Sequence, residues 1–433
     1  MSLRIHLKTL GCRLNEAEVE GWARQFQAEG HRIVNQATEA DLVILNSCAV
    51  TQDAVRKSKQ LIRRTHRENP AAKLMVSGCF ASLQPDEAKA ELGVDWVVAN
   101  ADKGRLVDIA KENLDVPTMP ALASEPGEAA LFAMGRQRAF VKVQDGCRYR
   151  CTYCIVTLAR GEEASRGIAE VVNEINLLHQ AGVQEFILTG VHLGGWGSDL
   201  GLSLPDLIAA VLTDTAIPRL RLGSLEPWEL SESFFDLLQN PRFMPHLHLP
   251  LQSGADTVLR RMARRCKTAE FAELTRLIRQ ANPDVNLTTD IIVGFPGETE
   301  AEWQESLDFI ASQGFGHIHS FGFSARAGTK AATLPDPVPP PVIKARAKQV
   351  QQLASAQKQA TLARELGREV SVLWEEGSRA EADGSRTFPG YTPNYLRVET
   401  TVGPGRELCR SIATAKLIAL APKGDYLLAE LSL

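Results

Sequence analysis

Two rhythms alternate along this chain. Short apolar runs of strand character end at a glycine, cysteine or asparagine, and stretches follow in which apolar positions recur every three or four residues. LRIHLKTL, Leu3 to Leu10, reads as a strand. The helix after it is predicted to begin with Asn15 as N-cap and Glu18 three positions on, with Val19, Trp22 and Phe26 on one face until Gly30. DLVILNSC and KLMVSGC repeat the pattern, each a strand that delivers a cysteine, Cys48 or Cys79, before another helical stretch. An N-terminal open parallel α/β sheet over residues 1–115 is the natural reading. The carboxyl ends of such strands share one edge, where ligands bind. Cys12, Cys48 and Cys79, spread over 68 positions, are therefore expected to converge.

From Val116 the text becomes VPTMPALASEPGEAALFAMGRQR, rich in Pro, Ala and Gly, and an interdomain linker is expected over 116–137. A second strand-helix series follows. AFVKVQ, EFILTG, RLRLGSLEP, HLHLPLQ, NLTTDIIVGFPG and HIHSFGFSA are its strand candidates. Six such repeats over 138–365 predict a partial (βα)6 barrel whose active face is the carboxyl ends of its strands. A proline-rich stop and a basic helix, LPDPVPPPVIKARAKQV, close that unit. Residues 366–433 change to short strands separated by Gly, Pro and Asp, which predicts a small OB-like β-barrel, a shape that often binds oligonucleotides. The fold class expected is multidomain α/β with this barrel appended.

With 433 residues, 44% of them apolar, there is ample material for several cores. No apolar run reaches membrane-spanning length and the N-terminus shows no signal-type apolar region, so a cytoplasmic protein with no membrane association is expected. A net charge of -4 argues against general affinity for polyanions. Two local basic runs, Arg56 to Arg67 and Arg260 to Lys267, read either as solvated helix faces or as phosphate-binding patches. Eight cysteines without regular pairing suit a reducing compartment in which thiols are free or bind metal.

The densest chemistry lies in DGCRYRCTYC, where Cys147, Cys151 and Cys154 follow the first barrel strand with C-x3-C-x2-C spacing. Structural zinc takes four ligands, and no second pair stands nearby. A three-thiolate site suits instead a four-iron cluster with one iron left open. Gly146 lets the backbone wrap a bulky cluster, and Arg148 and Arg150 add positive charge that eases reduction, or are simply surface residues. Cys266 and Cys409 fall outside both triads and read as packing. His246, His248, His317 and His319 alternate on strands and read as polar barrel lining.

These motifs resemble a known family. C-x3-C-x2-C after the first strand of such a barrel is similar to the radical S-adenosylmethionine superfamily. TLGCRLN, NSCAVT, SGCFA, DGCRYRCTYCIVTLARGEEASR and DIIVGFPGETE together resemble its methylthiotransferases, over nearly the whole chain and in the same domain order, ending in a TRAM-type barrel. The resemblance implies two [4Fe-4S] clusters. Cys147, Cys151 and Cys154 would hold the one that reductively cleaves S-adenosylmethionine to a 5'-deoxyadenosyl radical, and Cys12, Cys48 and Cys79 would hold an auxiliary one that carries the sulfur, methylated by a second S-adenosylmethionine. It implies cofactor contacts at Thr189 and Gly190, at Ser224 and Glu226, at Gln252 and Ser253, and at Val293 and Gly294 beside the adenine. A glycine turn at Gly190 and helix caps at the strand-end polar positions fit the bare residues equally.

The family acts on an adenosine next to a tRNA anticodon or on an aspartate of a ribosomal protein. TLGCRLN and YCIVTLARG are most similar to the branch that methylthiolates adenine C2 of N6-threonylcarbamoyladenosine at position 37 of tRNA. The isopentenyladenosine branch tends to carry a tyrosine before its Gly-Cys pair and Pro-Tyr where this chain has Thr157-Leu158. Partners implied are the tRNA anticodon arm and a reductase or flavodoxin-type electron donor. A monomer is expected. A non-catalytic iron-sulfur protein, binding RNA or carrying electrons, would need no barrel around its cluster and is better served by four cysteines.

Overall fold

The computed structural model describes residues 2–114 and 137–432. The linker expected over 116–137 lies, but for Gln137, outside the described residues.

The N-terminal unit is a parallel sheet of five strands, β1 (Arg4–Thr9), β2 (Arg32–Ile33), β3 (Leu42–Ser47), β4 (Lys73–Gly78) and β5 (Trp96–Val98), in the order β2-β1-β3-β4-β5. Every residue of β3 is buried, as expected for a central parallel strand covered on both faces. Helix α1 (Arg13–Ala28) buries Val19, Trp22 and Phe26 as its periodicity predicts. It starts earlier than expected, with Cys12 rather than Asn15 at the N-cap. Asn15 is drawn inside because tertiary partners satisfy it: its amide donates to the carbonyls of Leu10, at 2.7 Å, and Ser47, at 3.2 Å. Helix α2 (Gln52–Glu68) carries the first basic run, and most of that charge is offset. Arg56 and Lys57 pair with Asp53, Lys59 with Glu87, Arg63 with Glu91 and Arg64 with Glu68.

All six barrel strands form where expected. They are β6 (Arg138–Lys142), then, after a short antiparallel ribbon of β7 (Gln144–Asp145) and β8 (Ala164–Ser165), β9 (Glu185–Thr189), β10 (Arg219–Leu222), β11 (His246–His248), β12 (Asn286–Val293) and β13 (His317–Gly322). Parallel pairing joins β6-β9-β10 and β11-β12-β13, and bridges Leu220 to Phe243 and Ser224 to His248 join the two halves. One face of each strand, such as Phe186, Leu188, Leu220 and Leu222, packs beneath the helices. The other face points into the lumen, where Ala17 of α1 packs on Phe140 and Ile187 and so covers the barrel's side.

At the amino ends of the strands the lumen is charged. The carboxylate of Glu185 is fully buried among Arg138, at 2.6 Å, Arg221, at 2.9 Å, and Arg219, at 3.7 Å. Burial alone would raise its pKa, but the arginines outweigh burial and hold it at about 2. Those same arginines dock the C-terminal barrel. Its strands β14 (Glu369–Trp374), β15 (Arg379–Ala380), β16 (Arg386–Tyr391), β17 (Arg397–Val402), β18 (Ile412–Leu420) and β19 (Leu427–Leu431) run in the order β14-β18-β19-β17-β16-β15, and a β14–β16 pairing closes the ring. Arg219 donates to the carbonyls of Ser371 and Tyr391, Arg221 to that of Pro393, and Asn286 to that of Asn394. Tyr391 and Tyr395 stack at 4.9 Å, with the Arg138 guanidinium 4.4 Å from the first ring and that of Arg221 4.5 Å from the second. The small barrel thus sits at the end of the strands opposite the cysteine loop. No helix of the described residues is long and apolar enough to cross a membrane.

Candidate active site

Cys147, Cys151 and Cys154 occupy the loop between β7 and the helix Val156–Arg160. The turn depends on Gly146, at φ +72°, where a Cβ would stand 1.7 Å from the carbonyl oxygen of Glu162. The loop is tied at several points. Cys147 N donates to Gly161 O at 3.2 Å, Cys154 N to Cys151 O at 3.0 Å, and Thr152 Oγ1 to Arg261 O at 2.9 Å. Gln144, wholly buried, donates to the carbonyls of Asp145 and Gly146 and accepts from the His192 amide.

The thiols are half-buried, and burial pushes Cys147 up to about 11 and Cys154 up to about 12. Burial also raises Cys151, against the opposing pull of the Arg264 guanidinium. Three converging thiols that are unfavourable as free thiolates become favourable once a cation offsets their charge, so the donor set fits an iron cluster.

Around the triad lies a charged collar. Arg264 pairs with Glu226 at 2.7 Å and lies over the Trp228 ring at 4.4 Å. The second basic run is therefore more than a solvated helix face: its helix ends at Arg261, and while Arg260, Arg265 and Lys267 stay exposed, Arg264 turns inward beside Cys151. On the other side His192 bridges Glu163, at 2.5 Å, and Glu229, at 3.3 Å. Arg148 reaches both carboxylates at 3.3 Å, and the Tyr149 hydroxyl donates to Glu229. Burial disfavours a charged imidazole, but hydrogen bonds to Glu229 and Glu163 outweigh it and raise the His192 pKa. Burial works against Glu229 too, yet His192 and Tyr149 hold it at about 2. One ligand atom each from Cys147, Glu163 and His192 lies within 4.8 Å of the others. Gln144, Glu163, His192 and Glu229 were missed from the sequence. They lie within or just beside the motifs VQDGC, RGEEASR, LTGVHLGG and GSLEP, but nothing in the text shows that they meet.

The eight cofactor-contact candidates all lie at the carboxyl ends of the barrel strands or in the turns just beyond, on the face of the triad. Their availability differs. Thr189 ends β9, and a Cβ on Gly190 would stand 2.9 Å from Gln144 Oε1. Ser224 is exposed, and Glu226 is held beside the triad by Arg264. The hydroxyl of buried Ser253, by contrast, accepts from Ala255 N at 3.3 Å, a local turn contact ahead of the next helix. Gln252, at φ +76°, exchanges backbone bonds with Asp290 and Ile292. The Val293 side chain is in the core and its carbonyl accepts from Phe323 N, while Gly294 N donates to Glu298 at 2.9 Å. His248 of β11 and His319 of β13 meet over the intervening β12 with ring centroids 5.8 Å apart, with Asp290 of β12 3.3 Å from His248.

Cys12, Cys48 and Cys79 stand just past β1, β3 and β4, three adjacent parallel strands. Glycines make room for them. At Gly11, φ +107°, a Cβ would lie 2.8 Å from the Sγ of Cys48, and at Gly78, φ +98°, 2.2 Å from the carbonyl oxygen of Ser47. Burial raises the Cys48 pKa, and the neighbouring Cys79 and Cys12 add to the rise, so this donor set also suits a shared cation.

The two triads meet one interface. Asn100 donates to Ala159 O at 2.7 Å, on the helix that follows Cys154, and lies 3.9 Å from the Sγ of Cys79. Beneath them Glu18 of α1 is buried with Lys103, at 2.5 Å, Arg160, at 2.9 Å, and Lys142, at 3.0 Å, while Asp145 pairs with Arg160 and Lys142. The three cations outweigh burial and keep Glu18 well below the usual carboxylate range.

Comparison with known proteins agrees with this architecture. A family described as "Uncharacterized protein family UPF0004" matches residues 4–99, and the radical SAM superfamily matches 141–310. The chain is 35% identical to the threonylcarbamoyladenosine tRNA methylthiotransferase MtaB of Bacillus subtilis, over 90% of this chain and 88% of that protein. It is 37% identical to the protein of the same name from Thermotoga maritima, over 77% and 78%. A tRNA-2-methylthio-N(6)-dimethylallyladenosine synthase of Cereibacter sphaeroides is 35% identical over 95% and 96%. Among solved structures, the radical S-adenosylmethionine methyltransferase TsrM of Kitasatospora setae shares the fold at TM-score 0.54 and 15% identity, over 77% of each chain. A radical SAM domain implies a [4Fe-4S] cluster and S-adenosylmethionine as cofactors, and the N-terminal match is consistent with a second cluster. With both matched domains in place and relatives above 30% identity over most of its length, the chain belongs to the radical S-adenosylmethionine methylthiotransferase family.

Proposed function

We propose that this chain adds a methylthio group to adenine C2 of N6-threonylcarbamoyladenosine at position 37 of tRNA. The observation that carries the reading is the meeting of two cysteine triads at one domain interface, in a chain 35% and 37% identical to proteins named for that substrate. Cys147, Cys151 and Cys154 would hold the cluster that supplies the electron for reductive cleavage of S-adenosylmethionine, and Cys12, Cys48 and Cys79 would hold the auxiliary cluster that supplies the sulfur. The protein's part is placement. Gly146 and Gln144 shape the first loop, Gly11 and Gly78 open the second site, and the Glu18 network fixes one against the other. Radical transfer to a single C–H position demands such fixed geometry. Ser224 and Glu226 are the cofactor contacts that the surroundings favour most, because Ser224 is exposed and Arg264 holds Glu226 beside the triad, with Thr189 and Gly190 at the end of the neighbouring strand. The C-terminal barrel binds the anticodon arm, and a reductase or flavodoxin-type protein supplies the electron.

Mass spectrometry of tRNA nucleosides from cells with and without this protein tests the reading. The methylthio-threonylcarbamoyl nucleoside is expected to disappear. Loss of the methylthio-isopentenyl nucleoside instead moves the substrate to the sister branch, and no nucleoside change points to a ribosomal-protein aspartate.

A further inference from the structure

Among the described residues one cation at the interface, Arg326, has no ion-pair partner. It follows β13, with its Nε buried and without a hydrogen bond. Its backbone is fixed, for its carbonyl accepts both from Thr329 N, at 3.0 Å, and from Thr329 Oγ1, at 2.7 Å. The segment around it touches both cysteine sites. On one side Gln52, at the start of α2 just past Cys48, donates to Ala325 O at 3.1 Å and to Ser324 Oγ at 3.4 Å. On the other side Ala331 N donates to Thr152 O at 2.8 Å, between Cys151 and Cys154. The guanidinium lies within electrostatic reach of Cys48.

Only the Nε of Arg326 is buried without a partner, which fixes the plane of the guanidinium at the interface, and arginine's planar fork matches a two-oxygen anion. We propose that Arg326 is an oxyanion-binding residue of the substrate site, taking either the carboxylate of the threonylcarbamoyl group or a backbone phosphate beside it. This rests on the tRNA reading above. Both sources present the same chemistry, and the choice of tRNA separates them.

The test measures equilibrium binding by the reconstituted enzyme of three tRNAs, carrying threonylcarbamoyladenosine, isopentenyladenosine or unmodified adenosine at position 37. Arg326→Gln is expected to weaken the threonylcarbamoyl tRNA by about ten- to a hundredfold, the range of a lost charge-assisted hydrogen bond, and Arg326→Lys by less. Loss confined to that tRNA assigns the carboxylate; equal loss for all three assigns a phosphate. Iron content shows whether each variant holds its clusters, and if Arg326→Gln does not, Arg326→Lys decides. Unchanged affinity for every tRNA overturns the proposal, including the case in which the midpoint potential of the cluster at Cys48 shifts, which would make Arg326 a counter-charge for that cluster. Wild-type enzyme that binds none of the three overturns the tRNA reading itself.

Discussion

The two triads reach the same end by opposite routes. Cys147, Cys151 and Cys154 span eight residues, so one loop turned by Gly146 assembles them. Cys12, Cys48 and Cys79 span 68, and only the pairing of β1, β3 and β4 brings them together. Their surroundings differ accordingly. The local triad has a collar of paired charges of its own, Arg264 with Glu226 and Arg148 with Glu163 and Glu229, whereas the distant one is shaped by glycine turns and shares the charges of the domain interface. A site carried by one loop needs many side chains to define its field. A site carried by a sheet edge takes its shape from the sheet and depends on its stability.

The largest expected effect comes from removing the local triad. Reconstituted wild type should hold close to eight irons, about four per cluster, and Cys147→Ala with Cys151→Ala and Cys154→Ala should leave about half of them and abolish cleavage of S-adenosylmethionine. Loss of all iron, or one zinc per chain, would erase the distinction between the sites. Glycine substitutions should separate them next. A side chain at Gly146 meets backbone at 1.7 Å and should empty the local site alone, while Gly78→Ala, meeting backbone at 2.2 Å, should empty only the sheet-edge site. Beyond the clash each places a side chain at positive φ, which costs about 1–3 kcal/mol. Iron content with electron paramagnetic resonance of each variant checks the split.

Breaking the joint should come third. Glu18→Gln leaves Lys103, Arg160 and Lys142 without their shared carboxylate and should cost about 3–5 kcal/mol in thermal unfolding. Because Glu18 and Glu185 titrate below their ordinary value of 4.5, the latter at about 2, their contribution is fully present above about 4.5. It is lost as the pH falls toward 2, and unfolding followed across that window should show wild type losing stability that Glu18→Gln no longer has to lose. The smallest effect belongs to the cysteines outside both triads. Cys266→Ser, at a position packed in the barrel core, and Cys409→Ser should leave iron content unchanged.

Much of this was legible in the sequence, for physical reasons that also mark where legibility stops. Strands ending in Gly-Cys or Ser-Cys announce themselves, so the three cysteine-bearing strands of the sheet were readable, as were the six barrel strands and the two cysteine triads, whereas the short strands β2 and β5 carry no such mark. The start of α1 was not, since Asn15 looks like a cap until Leu10 and Ser47 claim its amide. The Glu18 joint was invisible because Arg160 lies 142 residues away and belongs to another domain. Likewise Arg264 looked like one charge on a basic face, and only the fold turns it toward Cys151. Nor does any pattern show that the Ser253 hydroxyl accepts from Ala255 N or that the Val293 side chain lies in the core.

Separate duties for the two sites are tested most directly by one reaction. Reconstituted Cys12→Ala, Cys48→Ala, Cys79→Ala enzyme is mixed with reductant, S-adenosylmethionine and tRNA carrying threonylcarbamoyladenosine, and both products are quantified together. Continued release of 5'-deoxyadenosine with no methylthio nucleoside is the expected result. Methylthio nucleoside formed at the wild-type rate, or no 5'-deoxyadenosine from a variant that retains half its iron, would contradict it.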